Sequence, residues 1–134
     1  MTSLTPDDVS RFIKSLPIEA AAALQQPVAS GYSALDWLNV WKWCSKTLSE
    51  EGSMMVQEYI NCLSCRDRIA MFAASAPLTI ESALRSLLDS LDRRFVQVTV
   101  DDSGVEIGAH FSIGSRSENG FWWRRRPVTL PRGW

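Results

Sequence analysis

Val96-Gln97-Val98-Thr99-Val100-Asp101-Asp102-Ser103-Gly104-Val105-Glu106-Ile107-Gly108-Ala109-His110-Phe111-Ser112-Ile113 is the stretch on which the fold class turns. Before it, apolar residues recur with the period of a helix. Within it they alternate, as along a half-buried strand. Val96, Val98 and Val100 fall on one side, and Val105, Ile107, Ala109, Phe111 and Ile113 on the same side of a returning strand. Asp101-Asp102-Ser103-Gly104 between them has the composition of a hairpin turn. Asn119-Gly120 signals another turn after a polar loop from Ser112, and Phe121 to Arg126 then reads as a third strand. Pro127 and Pro131 place that strand at an edge. This part of the chain predicts a three-stranded antiparallel meander over residues 94–126.

The residues before it predict about five helices over residues 6–92. Thr5-Pro6-Asp7-Asp8 is a helix start, with a cap, a first-turn proline and two acids at the positive end of the dipole. Val9, Phe12, Ile13 and Leu16 then share a face. Pro17 opens a second helix from Ile18 to about Gln25, rich in alanine. Gln26 to Gly31 reads as a loop. Ser33-Ala34-Leu35-Asp36 resembles a capping box with aspartate in place of glutamate. The helix it opens reaches about Ser49, with Ala34, Trp37, Leu38, Trp41, Cys44 and Leu48 as its apolar stripe. Trp43 lies about 200° from Trp41 around that helix and leaves the stripe. After Glu50-Glu51-Gly52, a helix runs from Ser53 to about Ala76, unless Ser64-Cys65-Arg66-Asp67 caps a second one inside it. Pro77 ends it, and Leu84, Leu87, Leu88 and Leu91 face inward on the last helix. The whole is an α+β chain, expected as a single domain over residues 1–134. No internal repeat is evident.

Composition excludes several classes. Apolar residues make up 46% of the chain and charged residues 22%, ordinary for a globular protein. No apolar run suits a membrane span. Met1 to Asp8 lacks the basic end and apolar core of a signal peptide, so the expected location is the cytoplasm. Cys44, Cys62 and Cys65 are an odd number of thiols, which fits a reducing compartment. Charge is polarised along the chain. Residues 1–92 carry seven Lys/Arg and eleven Asp/Glu, a balance of −4, whereas residues 93–134 carry seven Arg and four Asp/Glu, a balance of +3.

The candidate chemistry is recognition. Phe121-Trp122-Trp123-Arg124-Arg125-Arg126 sets indoles beside guanidinium groups, both enriched where proteins grip partners. Strand alternation puts Trp122, Arg124, Arg126, His110 and Glu106 on one face of the meander, opposite a core face that includes Trp123. A one-residue slip of register would exchange the two tryptophans. Trp134 and the off-stripe Trp43 are further anchor candidates. A second reading makes the arginines a device that blunts a sheet edge, with Trp122 lidding the core.

Catalytic and metal signals are thin. Cys62-Leu63-Ser64-Cys65 has metal-pair spacing, but only Cys44 and His110 could complete a four-ligand site, and no zinc-finger spacing results. His110 has no nucleophile elbow to serve. A pairing with Glu106 across one strand face would orient its ring. Nothing in these patterns implies a metal or a cofactor. The expected function is therefore a non-enzymatic module that docks on an acidic surface of a protein partner. Inhibitors and immunity-type proteins of bacteria and phages have this general style. The alternative is a nucleic-acid binder that uses Trp122 and Arg124 to Arg126 on phosphates and bases, against which the slightly acidic pI of about 5.8 weighs.

Overall fold

A computed structural model describes residues 8–29, 31–50, 54–112, 114, 120–131, 133 and 134. Among them are six α-helices and two antiparallel strand pairs: α1 (Asp8–Lys14), α2 (Ile18–Gln25), β1 (Pro27–Ala29), β2 (Tyr32–Ser33), α3 (Ala34–Ser49), α4 (Val56–Ser75), α5 (Leu78–Gln97), β3 (Thr99–Asp101), α6 (Val105–Gly108) and β4 (Arg125–Pro127). A single 3₁₀ turn, Phe121–Arg124, precedes β4. The helical reading of the first part is met closely. The expected start at Thr5 to Asp7, the residues Glu51 to Ser53, and Ile113 with residues 115–119 lie outside the described residues.

The core is one cluster built around α3. Trp37, Leu38, Trp41 and Cys44 are buried, as the stripe predicts, and meet Tyr59, Leu63 and Ile69 of α4 and Leu84, Leu88, Leu91 and Phe95 of α5. The capping box that opens α3 is present: the Asp36 amide donates to Ser33 Oγ at 3.3 Å, and the Ser33 amide donates to Asp36 Oδ2 at 2.8 Å. Helix α4 runs unbroken through Ser64–Asp67, so no cap divides it. The expected loop at Gln26 to Gly31 instead carries β1, paired with β2 through Pro27↔Ser33.

Two parts of the chain share one design. At the ends of helices α1 and α4, a serine three residues after a phenylalanine turns its hydroxyl back on the chain. Ser15 Oγ donates to the Phe12 carbonyl at 2.7 Å, and Ser75 Oγ to the Phe72 carbonyl at 3.2 Å. A proline follows two residues later and rules out helical continuation at the residue before it. Pro17 and Pro77 have ψ of 152° and 150°, and their carbonyls accept the first bonds of α2 and α5. Leu24 and Leu84 then enter the core as counterparts. This repeat escapes the sequence because so few identities mark it.

The three-stranded meander is not what forms. Helix α5 continues to Gln97, and only Thr99–Asp101 pairs with Arg125–Pro127, through Thr99↔Pro127, Val100↔Arg126 and Asp101↔Arg125. The reason is Phe95, fully buried and in line with Leu88 and Leu91, which carries the helical stripe one turn further than the valines suggest. Val96 is accordingly 40% exposed. The Asp101 to Gly104 turn does not reverse a hairpin. Asp101 and Asp102 fold their carboxylates onto the amides of Ser103 and Gly104, both at 2.9 Å. Ser103 and Gly104 both take positive φ, 61° and 82°. Asp102 also accepts from the Glu106 amide at 2.9 Å, which starts α6 where a return strand was expected.

Gly120 sits where the indole of Trp122 folds back over it. Its φ of −152° suits any residue, so glycine is required for space alone. A Cβ there would overlap the six-membered ring of Trp122. Gly120→Ala is expected to cost about 2 kcal/mol through overpacking, read as a lower urea midpoint with an unchanged slope.

Candidate functional site

Arg66 and Asp67, adjacent on α4, organise the aromatic residues of the protein. Asp67 accepts from both neighbouring indoles, Trp122 Nε1 to Oδ1 at 2.8 Å and Trp123 Nε1 to Oδ1 at 2.8 Å and Oδ2 at 3.0 Å. Arg66 grips Asp92 of α5 with two parallel bonds, Nε to Oδ1 at 2.9 Å and Nη2 to Oδ2 at 2.8 Å. Asp92 Oδ1 also accepts from Trp41 Nε1 at 2.9 Å. The Arg66 guanidinium lies 4.2 Å from the centre of the Trp122 ring, and Trp41 meets Trp122 edge-on at 6.5 Å. Trp41, Asp92, Arg66, Trp122, Asp67 and Trp123 thus form one connected network across α3, α4, α5 and the 3₁₀ turn.

This overturns the outward placement of Trp122. It is 5% exposed and Trp123 is fully buried. The expectation rested on strand alternation, which sends neighbours to opposite faces. The Phe121–Arg124 segment is a 3₁₀ turn with about three residues per turn, so successive side chains can both meet the same wall. The lid reading of Trp122 is the one the fold adopts.

The remaining candidates do not form one face. Arg124 is exposed. Arg125 is spent on the end of α5, donating to Thr99 Oγ1 at 2.8 Å, the Thr99 carbonyl at 3.0 Å and the Val96 carbonyl at 3.3 Å. A cation at a helix C-terminus is favourable there. Arg126 donates to the Pro127 and Val128 carbonyls at 2.9 and 3.3 Å and lies 3.9 Å from Asp102. His110 and Glu106 do pair, Nε2 to Oε2 at 3.2 Å, but one turn apart around α6 and its extension and not across a strand. Trp134 folds back, donating to the Met54 carbonyl at 2.9 Å and packing on Tyr59 at 5.1 Å and His110 at 6.1 Å. Trp43 is 42% exposed on α3, as its helical phase predicts.

The cysteines are packing groups. Cys44 and Cys62 are fully buried and Cys65 is nearly so. Burial, with Cys62 alongside, holds the Cys44 thiol well above its ordinary pKa, and burial pushes Cys65 up to about 11. Burial likewise raises the phenol of Tyr59, whose hydroxyl donates to the Arg125 carbonyl at 2.8 Å. Among the described residues no group of three or more histidines, cysteines or acids stands together as metal ligands. No described helix is long and apolar enough to cross a membrane.

No family model, curated protein or solved structure matches the chain. The site must therefore be read from geometry. One apolar groove, of about 270 Å³, lies between β1, α3 and the outer side of α4, lined by Val28, Trp37, Arg68, Met71, Phe72 and Ser75. Met71 is 72% exposed and Val28 57%, while Trp37 is buried beneath them. The guanidinium of Arg68 stands 5.8 Å from the Trp37 ring. The groove carries no signature in the sequence, because Val28 reaches it only through the β1–β2 pair, formed where Gln26 to Gly31 reads as a loop.

Proposed function

We propose that the chain is a non-enzymatic protein-binding module whose docking surface is the Val28–Trp37–Arg68–Met71–Phe72 groove. The partner class expected from the sequence, a protein with an acidic surface, is retained, and the docking place moves from the β4 side to α4. The observation that carries the reading is Met71, an unbranched apolar side chain largely exposed at the edge of an aromatic-floored groove. Methionine, tryptophan, phenylalanine and arginine are the residue types enriched in interface cores, and a flexible thioether adapts to an incoming apolar side chain. Arg68 at the same groove would pair with a carboxylate next to that side chain. If the partner is an enzyme, the module would act as an inhibitor or immunity protein by covering its site.

The test is position-specific photo-crosslinking. A photoreactive residue at Met71 is expected to trap a defined protein, whereas one at the exposed Asn39 of α3 traps none. With that protein purified, Met71→Asp is expected to weaken binding by about tenfold or more. Equal trapping from both positions, or full affinity of Met71→Asp, would contradict the groove as the docking place.

A further inference from the structure

The groove beside α4 carries a single charge. Among the described residues that line it, Arg68 alone is ionised, and no acid stands with it. Arg68 is exposed, and no described carboxylate pairs with it. Its guanidinium is 5.8 Å from the centre of the Trp37 ring, so its donors lie at the groove itself. A guanidinium held over an apolar floor complements an anion that is joined to something apolar.

Size restricts the apolar part. The groove holds about 270 Å³, below the roughly 300–1,000 Å³ of sites that enclose whole ligands. It takes one large side chain. A docked helix would need seats for anchors at i, i+3, i+4 and i+7, and here there is one seat. The apolar group and the anion must therefore lie close together, within the short span from Trp37 to Arg68. In an extended chain, successive side chains point to opposite faces, so an internal acid next to an apolar residue is turned away from it. A C-terminal residue escapes this conflict, because its side chain and its α-carboxylate share one carbon.

Ser75 favours a peptide over an isolated acid. It stands two turns after Arg68 on the same face of α4, roughly 10 Å along the axis. Its hydroxyl hydrogen is spent on the Met71 and Phe72 carbonyls, at 3.3 and 3.2 Å. It therefore presents only lone pairs outward and suits an incoming N–H. A chain leading up to its terminal residue carries backbone N–H groups past this position. We propose, resting on the groove as the docking place, that it grips the last residue of the partner protein. An apolar side chain enters between Met71 and Phe72 over Trp37, and the free α-carboxylate pairs with Arg68.

Three probes test this, titrated into ¹⁵N-labelled full-length protein: acetyl-alanyl-alanyl-leucine, the same peptide as its C-terminal amide, and 4-methylpentanoate, which is leucine stripped of its nitrogen and of the chain before it. The acid peptide is expected to give saturable shifts at α4 amides from Arg68 to Ser75 and at the Arg68 Nε resonance. The amide is expected to bind about tenfold more weakly, the worth of one charge-assisted bond, and 4-methylpentanoate more weakly than the acid peptide. Arg68→Met, at an exposed position where the fold should persist, is expected to bring the acid peptide down to the affinity of the amide. An amide as tight as the acid, or an acid peptide undiminished by Arg68→Met, would overturn chain-end recognition while the docking place still stands or falls by crosslinking at Met71. Equal affinity of 4-methylpentanoate and the acid peptide would overturn it in favour of a small apolar acid. Absence of saturable shifts with all three probes would overturn it outright.

Discussion

Asp92→Ala is expected to destabilise the fold by about 4 kcal/mol, because removing one member of a buried ion pair strands the other. The Arg66 and Asp92 side chains are only 9% and 17% exposed, so solvent offers the orphaned guanidinium little relief. The same change takes the acceptor from the Trp41 indole, which is buried in the centre of the core. Domains of this size hold roughly 5–15 kcal/mol in total, so the variant should lose a large part of its stability. Equilibrium urea unfolding followed by far-UV circular dichroism measures it. The combined variant Arg66→Met with Asp92→Leu removes both charges together and is expected to be milder than Asp92→Ala alone. A cost under about 1 kcal/mol for Asp92→Ala would mean that the pair is solvated.

Asp67→Ala is the second large effect, at about 3 kcal/mol. It leaves two buried indole N–H groups without an acceptor, each worth about 1–3 kcal/mol when stranded. For a chain of this length the melting temperature should fall by about 10 °C. Asp67→Asn is the informative companion. Its remaining oxygen can still accept from both indoles, as Oδ1 of Asp67 does, and only the bond at the second oxygen is lost. It should therefore be markedly milder than alanine. Equal costs for the two variants would show that the indoles do not depend on this acceptor.

The helical two-thirds of the chain was legible because local signals and burial agree there. Ser33 and Asp36 form the predicted box, Trp37, Leu38, Trp41 and Cys44 form the predicted stripe, and Trp43 leaves it at the predicted angle. The remainder was misread where two local signals compete. Val96, Val98 and Val100 alternate like a strand, yet Phe95 continues the α5 stripe, its burial outweighs the strand propensity of the exposed Val96, and only Val100 enters a strand, β3. Asp102 has turn composition in either structure. What the sequence does not display is that its carboxylate faces the Glu106 amide and begins a helix.

The site was hidden for a different reason. Tryptophan and arginine in one segment signal contact, but not with what. Here the contact is internal, and Asp67, the acceptor for both indoles, lies 55 and 56 positions earlier, visible in the sequence only as one charge among several on α4. Met71 borders a groove for a reason equally remote, the seating of Val28 beside α4. Neither relation has a periodicity to read.

Hydrogen exchange of the six indole N–H groups, resolved by ¹⁵N correlation spectra, addresses the sealed network most directly. Trp41, Trp122 and Trp123 should exchange slowly and together, on the timescale of global unfolding, whereas Trp43 exchanges fast. Fast exchange at Trp122 and Trp123, matching that of Trp43, would contradict the internal use of these rings and return them to the surface.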